Sequence, residues 1–270
     1  STLSNAITEL ESYLGVKIFE RNNKKVILTS IGKEILAKAK KIKLEINSIN
    51  ELAQHSSGFL GSSISLGIIP TISPYFLPLI LPKVRKKFSN LKFKIEEGQS
   101  QILLDKVNEG DLDMAILALP YDTKDLTTFK FWEEDFFWVS NTQDKNAGKT
   151  EIKASELENA DLLLLEDGHC LKDHILGACN FSSSSKYSLK ASSLNTIIQL
   201  VKGRMGTTLI PKMALKELIG SKKDFFIAHL NEPGPHREIA LVTRPDYAGM
   251  ENMNLLIDFF EQCLRQSNRN

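Results

Sequence analysis

The alternation of apolar runs and amphipathic stretches after residue 62 is the feature that most constrains the fold. Buried-strand patterns at 63–69, 91–99 and 114–119 are separated by two helical patterns. Strands that alternate with helices in this order predict a parallel sheet covered on both faces. The same order begins again after residue 131, so we predict an α/β body made of two lobes.

The composition excludes several classes of protein. With 42% hydrophobic and 25% charged residues among 270, the chain has the make-up of an ordinary globular protein. No apolar run approaches the ~20 residues that cross a bilayer, and no signal peptide opens the chain, so we expect a cytoplasmic protein with no membrane partner. Three cysteines do not make a disulfide scaffold, and no Cys/His cluster has zinc spacing, so no metal and no cofactor are expected.

The first 56 residues are the basic part of the chain, with nine Lys and Arg against six Asp and Glu. Apolar side chains at helical spacing predict an amphipathic helix whose buried stripe consists of Leu3, Ile7, Leu10 and Leu14. Two short strands joined by a basic turn follow this helix. A helix before a basic two-stranded wing indicates the back half of a winged helix-turn-helix.

The polar face of that helix and the basic turn are candidate DNA contacts. We expect the helix to present four polar residues to base edges in the major groove, Thr2, Ser4, Asn5 and Thr8. We expect phosphate contacts from Arg21, Lys24 and Lys25. The alternative is a small helix and hairpin with a solvated charge run. Because the chain begins at the presumed recognition helix, we interpret it as cut at its front and expect DNA as a partner of the full-length parent.

Residues 30–54 predict one long helix. Its apolar residues alternate spacings of four and three, as in the seam of a coiled coil, at Ile35, Ala39, Ile42, Ile46, Ile49 and Ala53. Such a helix either packs on its own domain or pairs with a second copy. Because it connects a DNA-binding segment to a larger body, we favour a dimer-forming linker.

The predicted fold class is therefore α/β, with a partial winged helix-turn-helix, a linker helix and a two-lobed body that is periplasmic-binding-protein-like. The predicted boundaries are 1–29 for the DNA-binding part, 30–57 for the linker and hinge, and 58–270 for the regulatory domain. Within that domain, the first lobe takes about 62–131 and 239–270, and the second takes about 132–238.

The segment Leu162–Cys179, LLLLEDGHCLKDHILGAC, holds two of the three cysteines, nine positions apart. If the intervening residues form one helix, its ends lie roughly 13 Å apart at ~1.5 Å per residue. A disulfide needs Cα atoms within about 7 Å, and nine steps of ~100° place the two thiols on opposite faces. The bond therefore requires the helix to rewind, which would make it a covalent switch. The alternative is two unrelated cysteines.

The chain resembles the LysR-type transcriptional regulators over essentially its whole length. The resemblance rests on TLSNAITELESYLGVKIFER and LTSIGKEIL in the front and on LVKGRMGTTLIP in the body. Within the family, LLLLEDGHCLKDHILGAC together with IIPTISPYFLP resembles the OxyR-type peroxide sensors. The resemblance implies a DNA-binding regulator rather than an enzyme, acting as a homodimer or tetramer, with hydrogen peroxide and a reducing thiol system as its other partners.

The same resemblance implies the roles of individual residues. Cys170 is expected to be the peroxidatic thiol and Cys179 the resolving thiol. The expected peroxide pocket consists of Thr71, Ser100, His169 and Arg237, with Ser100 standing where the family usually has Thr. The alternatives are ordinary structural roles, namely helix caps for the two hydroxyls, an exposed turn residue for the histidine and a surface charge for the arginine.

A peroxide-reactive cysteine must be a thiolate, so we expect features that lower the pKa of Cys170. It lies near a predicted helix N-terminus, whose dipole favours an anion, and His169 and Lys172 are close to it in sequence. Asp167 is a candidate cap for that helix. We expect Cys179 on the apolar face, buried and unreactive, and Cys263 as a small core residue.

Two other functions remain open from the sequence. The first is a LysR-type regulator that responds to a small-molecule co-inducer in the cleft between lobes, with inert cysteines. The second is a thiol peroxidase, against which stand the absence of a thioredoxin-like CxxC and the DNA-binding front.

Overall fold

A computed structural model describes residues 2–22, 25–55, 63–181, 190–220 and 224–267. The chain divides into two compact units, Ser1–Ala53 and Gln54–Asn270. Within the described ranges, none of the helices has both the length and the apolar character that a membrane crossing requires. The predicted hinge falls mostly on residues 56–62, which lie outside the described residues. The predicted domain boundaries stay predictions.

The first unit contains a helix, a hairpin and a long helix. Its elements are α1 (Thr2–Leu14), β1 (Phe19–Asn22), β2 (Lys25–Leu28) and α2 (Ser30–His55), and the two strands pair antiparallel. Glu11 joins α1 to the hairpin, because its Oε1 accepts the backbone N–H groups of Ile18 (2.8 Å) and Phe19 (3.0 Å). The Phe19 N–H and the Lys17 ammonium hold the pKa of Glu11 at about 2.

The start of α2 explains the LTSIG motif. The Thr29 hydroxyl accepts the N–H of Gly32 at 2.9 Å, as an N-cap does, and also donates to the carbonyl of Lys17 at 2.7 Å. A Cβ on Gly32 would lie 2.1 Å from the carbonyl oxygen of Ile18. Only glycine therefore lets α2 approach the hairpin this closely.

The prediction of a buried stripe on α1 is wrong for the described structure. Leu3 is 75% exposed, and Leu10 and Leu14 are also exposed, whereas the buried residue of α1 is Glu11. The physical reason is that no described element of this unit packs over that face. On α2, the predicted seam is likewise uncovered, since Ile42, Ile46 and Ile49 are more than half exposed.

The second unit contains the two predicted lobes. Lobe I consists of β3 (Ser63–Ile68), α3 (Ser73–Lys87), β4 (Lys92–Glu97), α4 (Ser100–Asn108), β5 (Met114–Leu119), β6 (Thr127–Glu134), β13 (Arg237–Thr243), a short 3-10 helix (Met250–Asn252) and α9 (Met253–Ser267). Its strands lie in the order β4-β3-β5-β13-β6. The first three are parallel, as predicted, but β13 pairs antiparallel with both β5 and β6.

Lobe II is inserted between β6 and β13. It consists of β7 (Phe136–Asn141), β8 (Glu151–Ile152), α5 (Ala154–Leu157), β9 (Leu164–Leu165), α6 (Cys170–Ala178), β10 (Lys190–Ala191), α7 (Leu194–Lys202), β11 (Thr208–Pro211), α8 (Lys212–Ile219) and β12 (Phe225–Leu230). Its main sheet has the order β11-β7-β12-β8. The predicted strand over 161–166 shrinks to β9, which pairs with the two residues of β10.

Each lobe has its own hydrophobic core, and among the described residues two buried side chains belong to the core of the opposite lobe. The core of lobe I includes Cys170, although this residue belongs to α6 of lobe II. The core of lobe II includes Tyr75, although this residue belongs to α3 of lobe I. The two lobes therefore pack against each other through these buried side chains, and one of the two, Cys170, belongs to the segment Gly168–Cys170.

Candidate functional site

The two cysteines of interest lie at opposite ends of α6 and in different cores. Cys170 is the first residue of α6 and is 5% exposed in the core of lobe I. Cys179 is the C-cap of the same helix and is 4% exposed in the core of lobe II. Both are free thiols. Nine residues of helix separate them by roughly 13 Å, about twice the reach of a disulfide.

The turn that precedes Cys170 depends on a glycine. Gly168 has a φ of +96°, and a Cβ there would lie 2.6 Å from the side-chain oxygen of Gln99. His169 follows as the N-cap of α6, although its side chain makes no capping hydrogen bond. The prediction of Asp167 as a cap is therefore wrong, and its carboxylate instead forms a close ion pair with Lys172.

Burial raises the pKa of the Cys170 thiol, so the expectation of a low pKa is wrong for the reduced structure. Three groups act against this burial, in the order of the Ser100 hydroxyl, the Arg237 charge and the backbone N–H of Ala118. Lys172 is engaged with Asp167 and is not among them. Desolvation therefore keeps the thiol protonated, with the Asp173 charge acting in the same direction, while the three groups above favour the thiolate.

Ser100 carries an unusual hydroxyl group. It is the first residue of α4 and 1% exposed, and its Oγ has no hydrogen-bond partner in the described part of the chain. The N-cap of α4 is Gln99, so the alternative reading of Ser100 as a cap is excluded. A buried hydroxyl without a partner is destabilising, and here it stands next to the sulfur that it can stabilise as a thiolate.

Arg237 is a buried charge at the start of β13, and it contacts Glu134 at the end of β6 and Thr71 after β3. It is 1% exposed, and its Nη2 lies 2.7 Å from Oε1 of Glu134, which Nε also contacts at 2.8 Å. Its Nη1 donates to the Thr71 hydroxyl at 3.3 Å, and its Nη2 to the Thr71 carbonyl at 3.4 Å. The other oxygen of Glu134 accepts the N–H of Met213 at 2.8 Å. Arg237 therefore is not a surface charge.

Thr71 and His169 line a cavity between the lobes, whose volume is about 290 Å³. Lobe I contributes residues such as Tyr75 and Glu97, and lobe II contributes residues 192–195 at the start of α7. Ser100 and Arg237 do not line this cavity. The four predicted pocket residues thus fall into two pairs. Thr71 and His169 line the cavity, whereas Ser100 and Arg237 are buried and act on Cys170. The hydrogen bonds from Arg237 to Thr71 connect the two pairs.

His174 fixes α6 to lobe I. It stands one helical turn after Cys170, and its Nε2 lies 3.0 Å from the carbonyl oxygen of Pro120. Because a carbonyl can only accept, Nε2 carries the proton, and the buried Nδ1 has no partner among the described residues. Burial lowers the pKa of His174, and the hydrogen bond to Pro120 opposes this effect.

Cys179 and Cys263 lie where the sequence predicts. Cys179 is in an apolar environment, and burial raises its pKa to about 12. Cys263 on α9 is 3% exposed and belongs to the core of lobe I. Among the described residues, no three side chains of the metal-binding types come together.

Five of the seven predicted DNA contacts are exposed in the described structure. Thr2, Ser4, Asn5 and Thr8 are exposed on α1, and the Thr8 hydroxyl donates to the Ser4 carbonyl at 2.9 Å. Lys25 is exposed at the start of β2. Lys24 and the side chain of Arg21 lie outside the described residues.

Known proteins match both the sequence and this architecture. The family described as LysR substrate binding domain matches residues 57–265. The HTH-type transcriptional regulator EstR of Acinetobacter baylyi is 34% identical over 97% of this chain and 87% of its own. A probable hydrogen peroxide-inducible genes activator of Streptomyces viridosporus is 33% identical over 97% of this chain and 85% of its own.

The chain belongs to the LysR family of transcriptional regulators. Within the family it is OxyR-like. A solved structure of an OxyR Cys-to-Ser mutant from Corynebacterium glutamicum, in the peroxide-bound form, superposes with a TM-score of 0.74 at 32% identity. The match covers 98% of this chain and 84% of that one. The predicted fold class, a two-lobed LysR-type body behind a partial winged helix-turn-helix, is confirmed.

In this LysR-type chain, the site contains three residues that were not predicted from the sequence. Gln99 packs on Gly168, Glu134 neutralises Arg237, and His174 bonds to Pro120. Glu134 had only a weak local signal, since it is the middle residue of the acidic run Glu133–Asp135 at the end of β6. For the other two, the contact joins segments more than 50 residues apart, so no local pattern indicates them.

Proposed function

We propose that this chain senses hydrogen peroxide through Cys170 and Cys179 and passes the change to DNA as a transcriptional regulator. The observation that carries the proposal is the position of the thiols at opposite ends of α6 and in two different cores. Any covalent bond between them must dismantle α6 and withdraw at least one thiol from its core. Such a change in packing is large enough to alter the relation between the lobes.

The first step oxidises Cys170. Its thiolate sulfur attacks one oxygen of hydrogen peroxide, the O–O bond breaks, and the other oxygen leaves as hydroxide, which takes a proton to become water. The product is a sulfenic acid at Cys170. Ser100 and Arg237 support this step because both favour the anion that attacks. The cavity that reaches Thr71 and His169 provides the approach for peroxide.

The second step joins the two sulfurs. The Cys179 thiol attacks the sulfenic sulfur, an S–S bond forms, and water leaves, so that two thiols have supplied the two electrons that reduce one peroxide. In the reduced fold, α6 buries Leu171, Ile175 and Leu176, each worth roughly 1.5–3 kcal/mol. The disulfide must overcome this packing, and a reducing thiol system that cleaves it lets α6 form again.

The output is proposed to pass through the first unit. The exposed polar face of α1 suits contacts with base edges, with Thr2, Ser4, Asn5 and Thr8 as candidates. Lys25, with Arg21 and Lys24 beside it in sequence, is a candidate for phosphate contacts. The exposed seam of α2 suits pairing with a second copy, as expected for a homodimer or tetramer.

A second candidate function is a response to a small-molecule co-inducer. The cavity of about 290 Å³ between the lobes favours it, since Cys170 does not line this cavity. Under that function, peroxide has no specific effect on the state of α6. A thiol peroxidase, the third alternative, would consume many equivalents of peroxide per chain, whereas the sensor consumes one for each cycle of reduction.

The test is peptide mapping after stoichiometric peroxide. We expect a Cys170–Cys179 cross-link in the wild type and in Cys263→Ser, the matched control in which another buried thiol is removed. Cys179→Ser should stop at an oxidised Cys170, and Cys170→Ser should not respond. A response of Cys170→Ser equal to that of the wild type would refute the sensor.

A further inference from the structure

We propose that His174 is an acid-sensitive latch, which attaches α6 to lobe I while its imidazole is neutral and releases the helix when the imidazole takes up a proton. The side chain lies at the contact between the lobes. It belongs to α6 of lobe II and is 5% exposed, and its Nε2 lies 3.0 Å from the carbonyl oxygen of Pro120 in lobe I. The inference concerns the reduced protein and goes beyond the proposed peroxide response.

The contact of His174 lies beside that of Cys170. Residues four apart on a helix are neighbours on one face, and both side chains are buried where α6 meets lobe I. The backbone N–H of Ala118 acts on the pKa of Cys170, and the carbonyl of Pro120 follows two residues later in the chain. Release of His174 therefore loosens the helical turn that carries the reactive thiol.

The neutral form of His174 fits this position, and the charged form does not. Because the Pro120 carbonyl can only accept, Nε2 carries a proton in both forms, and an added proton must go to Nδ1. Nδ1 is buried and has no hydrogen-bond partner within the described ranges. Protonation in place would therefore create a desolvated charge and a buried donor without an acceptor, both of which are costly.

The charged groups around His174 do not remove this cost. Burial is the largest influence on the pKa of His174 and lowers it, and the hydrogen bond to the Pro120 carbonyl acts against burial. The charge of Arg237 on β13 lowers the pKa further, whereas Asp173 on α6 is the smallest of the four influences and raises it. The net direction is downward, so the buried imidazole stays neutral.

Two other titratable groups near this turn of α6 supply no counter-charge. Tyr121 directly follows Pro120, and burial together with the nearby Cys170 raises its pKa. Burial also raises the pKa of Cys170. Both groups are therefore neutral at neutral and acidic pH. His174 can take up a proton readily only when it leaves its site and reaches water, which requires α6 to come away from lobe I.

Acid therefore favours the state in which α6 is released. The folded pKa of His174 lies below its ordinary value of 6.5, so the stability that this group contributes is fully present above pH 6.5 and is lost as the pH falls. Between about pH 7.5 and about pH 5.5, the equilibrium for release of α6 should shift toward release by up to about tenfold, the limit set by a histidine of ordinary pKa in the released state.

The experiment is hydrogen exchange of the reduced full chain at about pH 7.5 and about pH 5.5, with each amide rate divided by its intrinsic rate at the same pH. In the wild type, we expect the protection of the amides of Cys170–Ala178 to fall by up to about tenfold at the lower pH. In His174→Gln, which keeps a side-chain N–H for the Pro120 carbonyl and does not titrate, protection should change by less than about twofold.

His229→Gln is the matched control. That histidine belongs to β12, and its Nε2 lies 3.0 Å from an oxygen of Asp135, so its loss should leave the pH dependence of α6 as in the wild type. A second measurement needs no variant, because the imidazole of His174 can be titrated by NMR in the reduced wild type. The proposal is overturned if His174 titrates at or above its ordinary 6.5, or if wild type and His174→Gln lose the same protection in acid.

The consequence for the switch rests on the proposed function. In glutathione buffers, the two thiols of the chain are oxidised to the disulfide while glutathione disulfide is reduced to two thiols, an exchange that releases no proton below the thiol pKa values. Acid should shift this equilibrium toward the Cys170–Cys179 disulfide in the wild type, by up to about tenfold, but not in His174→Gln. Absence of the cross-link at every buffer ratio would refute the proposed function, whereas the exchange experiment decides the latch by itself.

Discussion

Ser100→Ala is expected to slow the oxidation of Cys170 while leaving the reduced fold at least as stable as the wild type. The Ser100 hydroxyl is the largest single influence that favours the Cys170 thiolate against burial. A hydrogen bond to a charged group is worth about 1.5–3 kcal/mol, so its loss lowers the thiolate population by about tenfold or more. The remaining thiolate is more basic and more nucleophilic, which recovers roughly half of this loss on a logarithmic scale. The net expectation is oxidation about 3- to 10-fold slower at neutral pH.

The stability of the same variant moves in the opposite direction. In the reduced fold, Ser100 Oγ is buried and has no hydrogen-bond partner among the described residues, so alanine removes a desolvated polar group. A gain of up to about 1 kcal/mol is expected. Ser140→Ala is the matched control, because that buried hydroxyl donates to the Asn141 carbonyl at 3.2 Å and is not among the groups that shift the pKa of Cys170. It should lose stability and oxidise at the wild-type rate.

The assay for this pair is stopped-flow oxidation under excess peroxide, read by the loss of free thiol, together with urea unfolding of the reduced protein. Wild-type oxidation rates in Ser100→Ala would refute the assignment of Ser100 to the thiolate. A fall in the stability of Ser100→Ala by more than about 1 kcal/mol would show that its hydroxyl is bonded in the reduced state.

Three further predictions follow from the same contacts. Glu134→Gln leaves the buried Arg237 without its counter-charge and should destabilise the reduced protein by about 3–5 kcal/mol in urea unfolding; unchanged stability would contradict the ion pair. The Cys179 thiol has a folded pKa raised from 9.0 to about 12, so the stability it contributes is fully present below pH 9 and is lost as the pH rises toward 12. Cys179→Ala should flatten that alkaline decline in a series of unfolding curves, and an identical slope would exclude Cys179 as its source. His174→Ala removes the bond from α6 to Pro120 and should speed disulfide formation once Cys170 is oxidised, whereas a slower closure in quenched-flow mapping would show that His174 assists the reaction instead.

Local sequence patterns are sufficient to predict several elements of this fold. The helical spacing of apolar residues predicts α2 and α6, because this signal acts within a few residues. Three parallel strands of lobe I follow from the same reasoning. By contrast, β6 is missed as a strand, since it carries mixed polar and apolar residues that only its pairing with β13 explains. β12 is missed as well, although five of its six residues are apolar.

The candidate site, like the fold, could be predicted from local sequence only in part. The spacing of Cys170 and Cys179 predicts that they lie at the two ends of one helix, and the burial of Cys179 agrees with the prediction. The electrostatics of Cys170 do not follow, because the dominant influence on its pKa is burial in the core of the other lobe. Lys172, which is close to Cys170 in sequence, pairs with Asp167 instead. Closeness in the chain was therefore a poor guide to which charges act on the thiol.

Hydrogen exchange of α6 in reduced and peroxide-treated protein, combined with mapping of the cross-link in the same sample, tests the central claim most directly. We expect the amides of 170–179 to be protected in the reduced state. In the fraction of molecules that carries the Cys170–Cys179 bond, these amides should lose that protection. A cross-linked fraction in which α6 keeps its protection would contradict the claim that the two sulfurs meet only when the helix is dismantled.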